Sequence, residues 1–481
     1  MKQKLASAAA LLFLACGSAL AQPQDGPPQN RVSPDSFGAP AVGSLPIDVL
    51  PPGARALGLA GAFTAVADDA TAAEANPAGL TILSQPEVSL HVRNSDYSLR
   101  FVDLEALDST TFGGPSGELI KTFDDSSTNV SFASYVKPFD RWTFSAFYGN
   151  QLDLTAATPS ESVFDPNFID TFVSDNALAA EIDGFGLSAA FRLTDTVSVG
   201  LTVKRTELDL FSSDRYTVED FNDLEFIFGD PDIGIGSFQD FADVIDDVGT
   251  VESLLDGDDS DTVFNLGVLV NPNGRWSFGA VYKQGAEFSI PGFASVNRSV
   301  TCPGTDNLSL FCQAVFDLVD PQVIADLNSS GIEAQTQSVV IPDRLTLGLA
   351  LRPSDTLLIS LDLNLIEYED LPDPRPFGLG GLAPEEFRPV VAAEQISNEI
   401  NYHVGVEKVF PLSGNGLLDV FTLRGGVFEE NDFDGFRVLD SSERHYTFGL
   451  GAVLRNLQID LAYESSDDVD NIVLSGIYRF D

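Results

Sequence analysis

Leu357-Leu358-Ile359-Ser360-Leu361-Asp362-Leu363-Asn364-Leu365 has an apolar residue at every odd position and a polar one at most even positions. Successive side chains of a strand point to opposite faces, so this run has one apolar face and one wet face. The same split holds in Leu457-Gln458-Ile459-Asp460-Leu461-Ala462-Tyr463-Glu464. It recurs where Val197, Val199, Leu201 and Val203 alternate with Ser198, Gly200, Thr202 and Lys204, and where Leu345, Leu347, Leu349 and Leu351 alternate with Thr346, Gly348, Ala350 and Arg352. Working outward from these runs, the pattern predicts about 14 strands, near 86–103, 126–138, 140–154, 181–193, 195–211, 261–271, 274–290, 337–352, 354–369, 394–411, 416–430, 442–454, 456–466 and 469–480.

The connections decide the architecture. Links after even-numbered strands are short, as at Phe139-Asp140, Thr194-Asp195, Pro272-Asn273, Pro353-Ser354 and Leu412-Ser413-Gly414-Asn415. Most links after odd-numbered strands are long and acidic, near 104–125, 155–180, 212–260, 291–336 and 370–393. Strict alternation of short turns with long loops is the mark of an outer-membrane β-barrel, with the short turns in the periplasm. A soluble sandwich or propeller would tolerate the alternating residues but would not predict the loop asymmetry. The fold class expected is therefore all-β, a transmembrane antiparallel β-barrel of about 14 strands over 86–481. Tyr135, Phe139, Trp142, Tyr148, Trp276, Tyr282, Tyr463 and Tyr478 fit aromatic girdles, although strand packing alone would also place aromatics there.

Composition agrees and excludes other classes. Of 481 residues, 26 are Lys or Arg against 72 Asp or Glu, a net charge of −46, which argues against a nucleic-acid partner and against electrostatic docking on anionic lipid. Beyond the first 22 residues no run is apolar for the ~20 residues a membrane helix needs. Lys2 and Lys4, the apolar Leu5–Ala15 and the small residues Ala19-Leu20-Ala21 read as an export signal over 1–21. Cys16 after Phe13-Leu14-Ala15 is a weak lipoprotein signal, because the residue three before such a cysteine is usually Leu. Export implies an oxidising compartment, so Cys302 and Cys312, close together in a polar stretch, are expected to form a disulfide. Residues 22–52 are rich in Pro, Gly, Gln and Asp and read as a flexible arm.

Residues 53–85 differ again. They are small, apolar and Gly-rich, with helical spacing around Ala54–Ala67 and near Thr71–Glu74. Ala65-Val66-Ala67-Asp68-Asp69-Ala70 and Asn76-Pro77-Ala78-Gly79-Leu80 resemble the plug, or hatch, of the FadL/TodX family of outer-membrane transporters of long-chain fatty acids and aromatic hydrocarbons. Ile341-Pro342-Asp343-Arg344-Leu345-Thr346-Leu347-Gly348 and Pro353-Ser354-Asp355-Thr356-Leu357 resemble that family's mid-barrel hairpin. The resemblance spans roughly 53–480, although similar wording occurs in related barrels with roles in protein secretion. It implies a small N-terminal helical plug in the lumen that moves on ligand binding and opens a passage, commonly towards the bilayer. Asp68, Asp69, Asn76, Pro77, Ala78 and Gly79 are the gating candidates. Small residues Gly58, Ala60, Gly61, Ala62 and Ala65 would let the plug pack closely against the wall, Asp69 could cap the next turn, and Pro77 would end it.

The function expected is import of hydrophobic small molecules, foremost long-chain fatty acids, by a monomer in the bacterial outer membrane. Its partners would be the ligand, outer-membrane lipid with lipopolysaccharide, and the barrel-assembly machinery. That machinery would read the C-terminal Ile472–Phe480, although Asp481 follows the final aromatic. The alternatives are import of aromatic hydrocarbons, or a secretion-system or other interaction barrel that uses 22–52 as its arm. Phe168, Phe172, Phe226 and Phe228, with Phe221, Phe238 and Phe241, lie in expected loops, where they line an external capture groove or pack over the barrel mouth. Lys204, Arg205, Arg352 and Arg479 are candidates to hold a ligand carboxylate, and the sequence does not choose among them. Residues 212–260 carry 15 Asp or Glu against one Arg, which would repel a fatty-acid anion unless screened. Asp256-Gly257-Asp258-Asp259-Ser260-Asp261 reads as a solvated acidic loop, with calcium binding as the alternative, and it lacks EF-hand spacing. No metal or cofactor is expected. No Gly-x-Ser-x-Gly elbow is present and His91, His403 and His445 are scattered, so no catalytic residues are assigned.

Overall fold

The computed structural model describes residues 52–102, 120–165, 170–219, 246–301, 330–367, 398–412, 418–431, 442–466 and 469–480. The expected signal peptide, nearly all of the 22–52 arm, Cys16, the Cys302 and Cys312 pair, and Phe168, Phe221, Phe226, Phe228, Phe238 and Phe241 lie outside these residues.

The strand segments are β1 (Glu87–Val102), β2 (Ile120–Phe139), β3 (Trp142–Asp165), β4 (Asp170–Arg192), β5 (Val197–Glu219), β6 (Asp246–Val270), β7 (Trp276–Lys283), β8 (Glu287–Thr301), β9 (Ser330–Val340), β10 (Arg344–Ser354), β11 (Leu357–Ile366), β12 (Glu399–Pro411), β13 (Val420–Asn431), β14 (Ser442–Leu454), β15 (Leu457–Ser465) and β16 (Val469–Arg479). All pairings are antiparallel and join sequence neighbours except β6 with β8 and β7 with β10, and β1 pairs with β16, which closes the sheet on itself. Segments β7 and β8 are one strand interrupted at 284–286, and β9 and β10 are one strand interrupted at 341–343, so the barrel has 14 strands. The two breaks face each other. Gly285 N–H donates to Asp343 Oδ1 at 2.7 Å and Ile341 N–H to the Ala286 carbonyl at 2.8 Å, where no ladder bond is made.

The polarity of the wall is inverted relative to a soluble protein. Along β11, Ser360, Asp362 and Asn364 are buried in the lumen, whereas Leu361, Leu363 and Leu365 alternate to the outside. Outward residues form a continuous apolar belt in which Phe185 and Leu187 are 70% and 69% exposed. A patch of that size on a water-facing monomer would be an aggregation hazard, and a bilayer is its natural cover. Phe139, Trp142, Phe144, Trp276 and Tyr478 cluster on the outer face at the short-turn end, with Tyr402, Tyr446 and Tyr463 towards the other.

The strands run further than the sequence pattern suggested. The described parts of the segments expected as loops near 155–180 and 212–260 are ladder: β3 continues to Asp165, β4 begins at Asp170, and β5 and β6 pair as far as Glu219↔Val248. Phe172 is therefore a strand residue of β4 rather than a loop residue. On β6 the outer face of the extension carries Asp256 and Asp258, which disguises it as a loop, while Leu178 of β4 and Leu255 of β6 keep the inner face apolar. The acidic run 256–261 likewise belongs to β6 and is not a loop. Asp259 accepts Ser289 N–H at 2.7 Å and Asp261 accepts Glu287 N–H at 3.2 Å, so two of its carboxylates take amides that β8 leaves unpaired beside its break. Among the described residues no group of His, Cys, Asp and Glu is arranged to hold a metal ion.

Inside the wall at the short-turn end lies the segment 53–83. It contains α1 (Ala54–Gly58), α2 (Ala72–Ala75) and a 3₁₀ turn, Pro77–Ile82. The longer helix expected over Ala54–Ala67 stops at Gly58, because Ala60 (φ 55°), Gly61 (φ 73°) and Ala67 (φ 21°) turn the chain repeatedly to follow the wall. Its backbone lies directly on wall glycines. A Cβ on Gly200 would come within 2.3 Å of the Pro77 carbonyl carbon, on Gly267 within 2.1 Å of Asn76 Oδ1, and on Gly405 within 2.5 Å of the Leu59 carbonyl oxygen. Gly58 in turn lies against Gly449, as the small plug residues led one to expect. Leu57, Leu59, Phe63 and Leu80 are fully buried, each contributing about 1.5–3 kcal/mol.

Gly267→Val should leave the barrel assembled but unseat this segment, since overpacking of this kind costs about 1–3 kcal/mol or more. Unchanged heat-modifiable migration on gels with raised single-channel conductance in planar bilayers is the expected outcome. Unchanged conductance would show that the contact is not needed for seating.

Candidate functional site

The lumenal segment is held by polar groups of the wall, and three anchor points can be separated. At α1, Arg55 bonds Glu407 Oε2 at 3.1 Å and pairs closely with Asp68. Arg424 joins Glu407 at 2.6 Å to Asp460 at 2.7 Å, and Arg352 lies 3.6 Å from Asp68. Burial works against charge on Arg55, yet Asp68, Glu407 and Asp69 outweigh it and hold the guanidinium protonated beyond its usual range. Burial pushes the Asp69 carboxyl up, with Arg55 and Thr71 pulling the other way. Asp69 Oδ1 accepts Thr71 N–H at 2.9 Å, so it turns the chain into α2, while Thr71 itself occupies the cap position.

The second anchor is Asp362, whose Oδ2 accepts Phe63 N–H at 3.0 Å and Thr64 N–H at 2.8 Å. The third is Asn76, fully buried between α2 and the 3₁₀ turn. Its Nδ2 donates to the Thr64 carbonyl at 2.8 Å and the Val268 carbonyl at 3.2 Å, and its Oδ1 accepts Ala78 N–H at 3.2 Å. Pro77 starts the 3₁₀ turn, and a Cβ on Gly79 would meet the Ala67 carbonyl oxygen at 2.0 Å. Of the gating candidates, Asp68 and Asp69 thus share the Arg55 network, while Asn76, Pro77, Ala78 and Gly79 form one turn against β5 and β6.

The scattered histidines also converge on the lumen. His403 lies 2.8 Å from the Ala60 carbonyl through Nδ1 and 2.7 Å from Asn364 Nδ2 through Nε2. His91 Nδ1 lies 2.6 Å from Ser475 Oγ, which accepts Ala54 N–H at 2.8 Å. His403 and His445 stack on opposite sides of Phe428 at 4.9 Å and 4.3 Å. His91 and His403 serve the seating of the lumenal segment.

On the long-loop side of α2 the lumen changes character. Leu152, Leu154, Leu178, Ala180, Ile182, Leu208, Leu210, Leu255, Val263, Ala286, Phe288, Ile290, Val339 and Ile341 form one apolar cluster. Three of them, Val263, Ala286 and Ile341, also line a pocket with Glu74, Gln151, Lys204, Lys283 and Arg344. The apolar tract is therefore continuous with a pocket that carries three cationic side chains against one carboxylate. Of the four carboxylate-binding candidates, Lys204 is the one in the pocket. Arg205 faces outward onto Ser260 at 2.6 Å, Arg352 sits at the short-turn end, and Arg479 pairs with Glu87 at 3.2 Å. Lys283 and Arg344 were missed in the sequence, although Arg344 lies in the Pro-Asp-Arg run at the break between β9 and β10.

The wall beside α2 is open. The β2–β3 ladder runs from Phe139↔Trp142 to Phe132↔Gly149 and then stops. Beyond it β2 pairs only with β1 and β3 only with β4. Bulges at His91/Arg93 and Asn150/Leu152 flank the separation. Side chains span it instead: Asn129 Nδ2 donates to Asp153 Oδ2 at 3.2 Å, and Arg93 reaches the Asn150 carbonyl at 3.3 Å. Glu74 stands at its base, taking Gln151 Nε2 at 3.3 Å.

A closed barrel with an apolar belt outside, a segment folded into its lumen and an apolar tract above defines a plugged outer-membrane channel for hydrophobic solutes. The sequence profile described as outer membrane protein transport protein (OMPP1/FadL/TodX) matches residues 52–373, and the chain belongs to that family. No curated protein matches the chain at a significant level. Among solved structures, a FadL homologue of Pseudomonas aeruginosa is 15% identical with a TM-score of 0.55, covering 87% of this chain and 96% of its own. A TodX variant described as a monoaromatic hydrocarbon channel is 14% identical at a TM-score of 0.52, over 86% and 95% of the two chains. CymD, also described as a monoaromatic hydrocarbon channel, is 13% identical at a TM-score of 0.50, over 90% and 98%. At such identities these likenesses show the fold. The chain is accordingly an outer-membrane protein of a transport-channel family.

Asn76→Ala would leave the Thr64 and Val268 carbonyls without their buried donor, a cost of about 1–3 kcal/mol, or roughly one to two powers of ten in local opening. Amide exchange at 77–82 should accelerate to that extent in the purified barrel while strand amides keep their protection.

Proposed function

We propose that the chain imports long-chain fatty acids, with the hydrocarbon tail along the inner face of β3–β6 and β8–β9 and the carboxylate among Lys204, Lys283 and Arg344. The observation that supports this reading is the continuity of the apolar cluster with the cationic pocket through Val263, Ala286 and Ile341. An apolar groove with a few charged groups at one end suits an amphiphile better than a wholly apolar solute. Within this reading, Asp68, Asp69, Asn76, Pro77, Ala78 and Gly79 form the gate, and the solute leaves sideways between β2 and β3. Two of the structural neighbours are described as monoaromatic hydrocarbon channels, which makes import of such hydrocarbons the second reading.

Cells lacking their own importer and expressing this chain should take up labelled oleate above empty vector. Lys204→Met should lower oleate uptake relative to toluene uptake about tenfold, the worth of one charge-assisted hydrogen bond. Equal loss of both would point to barrel damage. Toluene uptake without oleate uptake would favour the hydrocarbon reading. Neither, from an assembled barrel, would favour a protein-interaction role.

A further inference from the structure

Glu74 is the one acidic side chain in the pocket lining, and it comes from the lumenal segment rather than the wall. Its Oε1 lies 3.0 Å from Lys204 Nζ, with the two side chains 5% and 4% exposed, and it also takes Gln151 Nε2 at 3.3 Å. Its neighbours in α2 are Ala72, Ala73 and Ala75, so small apolar residues satisfy the packing there. A buried ion pair is a poor stability device compared with well-packed apolar residues, so the pair calls for another explanation. Burial alone would push the Glu74 carboxyl up, but Lys204, Lys283 and Arg93 outweigh it and hold it below the usual carboxylate range. The pocket thus already contains a carboxylate, delivered by the plug, on a lysine that a fatty acid would use.

We infer that Glu74 is an internal stand-in for the substrate's carboxylate, and that an incoming fatty-acid anion displaces it from Lys204 and so releases α2 from the wall. The inference rests on the fatty-acid reading above. Two carboxylates competing for one ammonium repel each other, so one must leave or take a proton. Glu74 is the one that can leave, since its helix is a single turn. Its departure removes the Gln151 bond and vacates the space against Gly149, where a Cβ would lie 2.9 Å from Glu74 Oε2. Gly149 is the residue at which the β2–β3 ladder ends. Recognition of the anion and loosening of the plug at the wall opening are then one event. Asp362 at Phe63 and Thr64, and Glu407 at Arg55, keep the start of the plug seated. A neutral hydrocarbon has no means of displacing Glu74.

Binding of oleate and of methyl oleate to the full-length barrel in an uncharged detergent tests this in wild type and Glu74→Gln. Glu74→Gln should bind oleate about five- to tenfold more tightly, within the usual range of site–site coupling, and methyl oleate unchanged. In the wild-type protein, a measurement that does not depend on the variant folding, oleate should speed amide exchange at 72–76 and methyl oleate should not. Unchanged or weaker oleate binding by Glu74→Gln, or oleate protection of 72–76 in the wild type, would overturn the inference while leaving the fatty-acid reading intact. Wild-type protein that does not prefer oleate to its methyl ester would overturn the fatty-acid reading and this inference with it.

Discussion

The structure depends on one constraint: a wall that shows apolar side chains to lipid must turn its polar side chains inward, where they need partners. A 14-stranded barrel has too wide a lumen for those side chains to satisfy one another across it. The segment 53–83 fills it at one end and supplies the missing groups as backbone. Phe63 and Thr64 amides meet Asp362, the Ala60 carbonyl meets His403, and the Ala73 carbonyl meets Ser188 at 3.0 Å and Thr202 at 2.6 Å. Wall glycines such as Gly200, Gly267 and Gly405 let that backbone come close enough to bond. The plug is therefore the second half of the wall's hydrogen bonding, which is why Asp362, Asn364 and His403 can be polar and buried.

Where the plug stops, the constraint has to be met differently, and the lumen becomes two-sided. The inner face of β3–β6 and β8–β9 turns apolar. On the other side, His445 Nδ1 lies 2.9 Å from Glu464, Asn471 donates to Glu464 at 3.2 Å, and Ser95 donates to Asn471 at 2.6 Å, so the polar side chains close a chain among themselves. The pocket at Lys204 sits where the apolar side, the plug and the open β2–β3 seam meet. Local loss of ladder there costs backbone hydrogen bonds, and Asn129, Asp153, Arg93 and Asn150 replace some of them with side-chain bonds. Side-chain bonds can be exchanged singly, whereas a ladder opens cooperatively, so this seam is the part of the wall suited to movement.

Much of this was legible in the residues. The alternation in Leu357–Leu365 fixed both the strand and its inverted faces, and the asymmetry of the links gave the barrel. The Asn76–Leu80 and Ala65–Ala70 runs pointed to the plug. The strand ends towards the long loops were not legible, because acids such as Asp256 and Asp258 on the outer face of β6 read as loop acids. In register Asp258 stands opposite Asp209, Asp209 opposite Glu181 and Glu181 opposite Asp153, so the acidic run continues a row of carboxylates across adjacent strands. Nor was the longer helix over Ala54–Ala67 correct, since its spacing serves a chain that bends around the wall. Lys204 was one of four cations the sequence could not rank, because rank depended on which face of which strand met the plug.

By itself the sequence determined the class of solvent each face of each strand would meet, because side-chain alternation is a local property of an extended chain. It determined the even strand number and the short-turn end in the same way, and it determined that a small-residue segment would precede the first strand. Only the tertiary structure decided which polar groups pair across the lumen, since Asp362 with Phe63 and Lys204 with Glu74 lie 299 and 130 residues apart. It alone decided that two adjacent strands break at the same level and that one ladder ends at Gly149, because those events depend on the register of neighbours. Long-range register brings distant residues together only when the sheet closes, and no local pattern of residues encodes that closure.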